Sequence, residues 1–233
     1  MPSAEKILEL LKSKADPANV AGMQRFGINP NQTLGVSIPT LRQIAGQTGK
    51  DHALAEALWA SGVHEARILA SMVDDPRLAQ EEQMERWVKD FDSWDVCDQV
   101  CSNLFDRTPF ATQKAQAWST RSEEYAKRAG FVLMACLAAH DQKASDGQFE
   151  AFFPLMLQEA GDERNFVKKA INWALRGIGK RNLSLNQKAI AAAQEMLLIE
   201  AKPARWIATD ALRELTSPAV QSRLRDRESR RPA

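Results

Sequence analysis

Two spacings in this 233-residue chain put groups of complementary chemistry side by side. Trp94 and Asp98 are four residues apart, so on a helix an indole and a carboxylate share one face. Trp173 follows Lys169 by the same interval. A carboxylate can stabilise a developing positive charge and position or deprotonate a water molecule. An aromatic face can hold a cation at about 0.5 to 2 kcal/mol per contact. The stretch SWDVCD also holds Asp95. It falls about 100° around the helix from Trp94, against about 40° for Asp98. Asp98 is therefore the candidate for chemistry, and Asp95 is expected to cap, to pair with a base or to face solvent.

Other chemistries find no anchor. Cys97, Cys101 and Cys136 are odd in number, lack a second metal-ligand pair and read as buried thiols. His52, His64 and His140 are scattered singly and read as surface or capping residues. No metal site is expected. Without a phosphate loop or dinucleotide fingerprint, no cofactor is expected either.

The elements that must position these residues are helices. Hydrophobic residues make up 44% of the chain and charged residues 26%, a globular composition. The length exceeds the ~100 to 200 residues of one ordinary domain but suits one extended helical array. No apolar run approaches the ~18 residues of a membrane span, and MPSAEKILELLKSKAD carries charges where a signal peptide is apolar. A cytoplasmic protein is expected. Helical periodicity dominates, and alternation of β-branched residues is scarce. The segment GINPNQTLGVSIPTLRQIA is the one long stretch rich in Gly, Pro and Asn. It predicts separate helices over 3–26 and 38–48, with Ser37 as N-cap and Pro39 in the first turn.

Beyond it a pattern recurs: a charged residue, a small-and-apolar helix, a polar stop. It is seen in HEARILASMVDDP, EYAKRAGFVLMACLAAHD, NFVKKAINWALRGIGKRN and PARWIATDALRELTSP. Taking Arg67, Arg128, Lys169 and Arg205 as equivalent gives separations of 61, 41 and 36 residues, and the longest gap has room for one more unit centred on DSWDVCDQVCSNLF. Such periods predict an all-α, HEAT-type solenoid of antiparallel helical pairs. Its concave surface would begin each second helix with a cation: Arg67, Lys127 and Arg128, Lys168 and Lys169, Arg205. Cations repeated along a groove suit a polyanion, because each neutralised phosphate releases counterions. The alternative at each position is a salt bridge to a neighbouring unit. Charge is also uneven: residues 1–116 hold 12 Lys+Arg against 16 Asp+Glu, and residues 117–233 hold 19 against 14. The tail RLRDRESRRPA supplies part of that excess.

At these residues the chain resembles the HEAT-like-repeat DNA alkylation repair enzymes, the AlkD-like alkylpurine DNA glycosylases. The resemblance runs from FGINPNQTLGVSIPTLRQIA through HEARILASMVDDP and SWDVCDQV to FVKKAINWALRGIGK. It implies a solenoid that grips duplex DNA and excises N3- and N7-alkylated purines as a monofunctional hydrolase. By motif, Trp94 and Asp98 match the family's aromatic and catalytic carboxylate, Trp173 its second aromatic and Arg128 its groove arginine. The expected organisation is one repeat domain over 1–222 and a disordered tail over 223–233. The expected state is a cytoplasmic monomer, nucleoid-associated when bound to DNA, with no obligate protein partner. A non-catalytic protein that binds branched or distorted DNA, and a protein-binding scaffold, stay open as alternatives, since fold alone does not select among them.

Overall fold

The computed structural model describes residues 2–229, among which fifteen α-helices and one short 3-10 turn occur and no strand. The helices fall into two compact units, one ending at Phe110 and the other starting at Ala111.

The first unit holds α1 (Ala4–Ser13), α2 (Pro17–Arg25), α3 (Ile38–Thr48), α4 (His52–Ala60), α5 (His64–Val73), α6 (Glu81–Lys89), α7 (Trp94–Asn103) and the 3-10 turn Phe105–Arg107. Helix starts follow local chemistry, with side-chain oxygens of Ser3, Asp16, Ser37 and Asp51 accepting N–H groups of the first turn. One helix over 3–26 was the expectation, but Pro17 divides it, because a residue without an N–H and with φ locked starts a helix more readily than it continues one. α4 and α5 make a hairpin turned at Gly62, whose φ is 73°. α5 also packs on α3 and α7. The core gathers Leu11, Leu41, Leu58, Ile68, Leu69 and Met84, all fully buried, each worth about 1.5 to 3 kcal/mol. Trp59 stacks on Trp87 at 4.0 Å, with Phe91 and Phe105 around them. Those two tryptophans are core.

The second unit holds α8 (Ala111–Ser119), α9 (Glu124–His140), α10 (Asp146–Glu150), α11 (Phe153–Glu159), α12 (Asn165–Gly179), α13 (Leu183–Leu197), α14 (Lys202–Leu215) and α15 (Pro218–Ser229). α8 packs on α9 and α13 on α14, while α9, α12 and α14 lie side by side as a row of second helices. Residues 126–138 of α9 are all buried because α8 and α12 both cover it. Gly130 makes this closeness possible: a Cβ there would meet the Ser119 backbone at 2.4 Å. α12 buries Val167, Ala170, Ile171, Ala174, Leu175 and Ile178, the spacing of one helix face. Trp118 is core as well.

Second helices begin at His64, Trp94, Glu124, Asn165 and Lys202, intervals of 30, 30, 41 and 37 residues. α7 thus supplies the extra unit foreseen in the longest gap. The four equated cations do not share one register, however. Arg67 and Arg205 are fourth in their helices, whereas Arg128 and Lys169 are fifth, a difference of about 100°. The fifth position reads Ile68, Asp98, Arg128, Lys169 and Trp206. Residues 223–229, expected to belong to an unfolded tail, continue α15, where Val220 and Leu224 are buried one turn apart. Residues 230–233 of that expected tail lie outside the described residues.

Candidate functional site

In the first unit the site is built at the start of α7. Val96, Cys97, Val100 and Cys101 are buried, which leaves Trp94, Asp95, Asp98 and Gln99 on the partly open face. Trp94 and Asp98 share that face one turn apart. The Trp94 indole N–H donates to the Phe26 carbonyl at 3.0 Å. Asp95 pairs with a base, its Oδ2 standing 2.9 Å from Nε2 of His64. His64, expected as a surface or capping residue, is buried. Burial alone would depress its basicity, but the hydrogen bond and charge of Asp95 outweigh that and raise its pKa above the ordinary 6.5.

The polar segment 26–37 packs against this helix start. Ser93 accepts the Asn29 backbone N–H at 2.8 Å, and the Asn29 amide donates to Asp92 at 2.8 Å. Farther along, the buried Glu65 carboxylate accepts the backbone N–H groups of Leu34, Gly35 and Val36. Gly35 has φ 81°, and a Cβ there would lie 2.2 Å from the Asp16 carbonyl oxygen. The segment is therefore fastened at both ends, and it presents Phe26, 72% exposed, beside Trp94. In the sequence this segment stands out by its density of Gly, Pro and Asn and as the first motif of the family resemblance. Neither signal reveals the contacts that Phe26, Asn29 and Glu65 make in the fold.

The basic residues divide into two kinds. Arg67 donates to the Asp90 carbonyl at 3.0 Å and lies 5.3 Å from the Trp59 ring. In the second unit Lys127 is ion-paired with Glu159 and with Asp162, the latter at 3.3 Å. Burial alone would raise the Asp162 pKa, but Arg164 and Lys127 hold it below the carboxylate range. Arg128 is buried and donates to the Phe166 carbonyl. These three match the salt-bridge and packing alternative. Lys168 sits 4.8 Å from the Trp206 ring, while Lys169 and Arg205 are exposed. Trp173 is also exposed, at 38%. Each unit thus carries an accessible aromatic on a second helix. Among the described residues, no His, Cys, Asp or Glu cluster has the arrangement of a metal site, and no helix is long and apolar enough to cross a membrane.

Residues 7–215 match the model of a family described as DNA alkylation repair enzyme. A solved structure from a family of proteins related to the HEAT-like repeat DNA glycosylases, with affinity for branched DNA structures, matches with a TM-score of 0.74. The match has 20% identity and covers 83% of each chain. It establishes the HEAT-like fold. No curated protein gives a significant match.

Proposed function

The chain belongs to the DNA alkylation repair enzyme family, and from that premise we propose that it is a monofunctional glycosylase that removes cationic N3- and N7-alkylpurines from duplex DNA. The observation that carries the reading is the pairing of Trp94 with Asp98 on the open face of α7. A purine alkylated at N3 or N7 is a cation, so its glycosidic bond is already weak and the departing base needs no proton. As the C1′–N bond breaks, its electron pair leaves with the base and positive charge builds on the deoxyribose. The Asp98 carboxylate stabilises that charge and takes the proton of the water whose oxygen bonds to C1′. Trp94, one turn from Asp98, offers its face to the cationic lesion, and Trp173 of the second unit is a further accessible aromatic for a cationic base. Lesion choice then follows charge rather than shape.

DNA would be held through its phosphates, with little sequence preference. Of the basic series, the exposed Lys169 and Arg205 are the ones available to do so. A monomer acting in the cytoplasm, on the nucleoid, suits this chemistry. A second reading, a protein that binds branched DNA without cutting it, draws on the affinity ascribed to the structural neighbour. One experiment separates them: a duplex with a single N7-methylguanine is incubated with protein, and abasic sites are cleaved with alkali. Excision by the wild type and its loss in Asp98→Asn, with DNA affinity retained, supports the glycosylase. Tight binding without excision by the wild type refutes it.

A further inference from the structure

A cleft of about 590 Å³ opens beside Trp173, wholly within the second unit. Small residues of α9 and α12 line it, among them Ala135, Ala138 and Gly177, together with three arginines: Arg181, Arg223 and Arg227. Its volume falls within the ~300 to 1,000 Å³ of ordinary ligand sites. Arg223 and Arg227 are four residues apart, so they share one face of α15. Both are exposed.

None of these guanidiniums is in a direct ion pair, although Asp141 and Asp146 attract Arg181, which also lies 4.1 Å from the Phe149 ring. Arg181 donates to the Ala138 and Asp141 carbonyls at 2.7 and 2.9 Å, and Arg227 to the Lys180 carbonyl at 3.2 Å. No carboxylate of the described residues forms an ion pair with any of the three within 4.0 Å. The contrast with nearby cations is informative, since Arg176 and Lys180 both pair with Glu214. Of the acids lining the cleft, Asp146 is engaged by the Asn182 amide at 2.8 Å, and Glu228 is exposed. The two exposed guanidiniums of Arg223 and Arg227, one turn apart on α15 beside an accessible indole and with Arg181 at the same cleft, form a receptor for anions spaced along a chain.

We infer that this cleft takes the phosphodiester backbone of a DNA strand, with α15 as the element that grips it beside Trp173. The inference rests on the DNA-binding reading above and extends it to the C-terminal helix, which the family match ending at residue 215 does not reach.

The test uses the double variant Arg223→Ala/Arg227→Ala in the full chain, which should melt as the wild type does because both side chains are exposed. Affinity for an unmodified, labelled duplex is measured by fluorescence anisotropy across a salt series. Loss of two phosphate contacts should make the slope of log affinity against log salt shallower by about 1.8. Over a fourfold rise in salt the variant should then lose about 12-fold less affinity than the wild type. A wild-type slope in the folded variant overturns the cleft; if the wild type still excises N7-methylguanine, the glycosylase reading stands. A shallower variant slope with no excision by the wild type supports the cleft and sinks the glycosylase. Full displacement of the duplex by a free deoxynucleoside monophosphate would mark a nucleotide pocket and overturn the backbone assignment.

Discussion

Asp95 and Asp98 lie within one helical turn and have different surroundings. Asp95 is committed to His64, a buried link between α5 and α7, and that link should be visible in pH dependence. The folded-state pKa of His64 is raised above 6.5, so the stability it contributes is complete below the unfolded value and disappears as pH rises through the folded one. Melting temperatures of the wild type and His64→Gln, taken from about pH 5.5 to about pH 8.5, should differ most at the acidic end and converge as pH rises. A gap that widens toward alkaline pH would contradict the pairing. Trp94→Ala or Trp173→Ala should slow excision of N7-methylguanine by roughly 10-fold, the equivalent of one cation–π contact of ~1.4 kcal/mol. Single-turnover rates provide the comparison.

At the scale of elements, segment 26–37 is ordered by contacts to other helices rather than by any helix of its own. Three amides converge on Glu65, a residue only 1% exposed. Glu65→Gln keeps the shape but removes the charge and turns one acceptor into a donor facing N–H groups. Hydrogen bonds to a charged group are worth about 1.5 to 3 kcal/mol, so the variant should lose stability of that order. Hydrogen exchange at Leu34, Gly35 and Val36 should accelerate well beyond that of the helical amides of α5. Unchanged protection at those three amides would show that the carboxylate does not hold the segment.

For the whole molecule, the question is which cations serve the fold and which serve a ligand. Lys127 lies between two carboxylates and is buried. Lys127→Met should cost about 3 to 5 kcal/mol, because Glu159 and Asp162 would keep their charges without a partner; chemical denaturation measures this. Lys169→Glu and Arg205→Glu should instead leave the fold intact and weaken binding to every duplex alike, since phosphate contacts carry no sequence information. Equal loss of affinity for duplexes of one length and different base sequence, read in parallel titrations, checks it.

Much of this was determined by sequence alone. Helices, their approximate stops and the shared face of Trp94 and Asp98 depend on neighbours three or four residues away, and periodicity records those directly. The extra repeat at α7 was legible for the same reason. Only the tertiary structure decided which tryptophans are core, that His64 is buried against Asp95, that the polar segment is tied to Glu65, and that α15 continues through Ser229. It also decided the fate of each cation, which the charge pattern could not. Lys127 and Glu159 are 32 residues apart, and Arg128 and Phe166 are 38. A charge is neutralised by whatever folding brings within a few ångströms of it, and that is set by the packing of helices rather than by the order of residues along them.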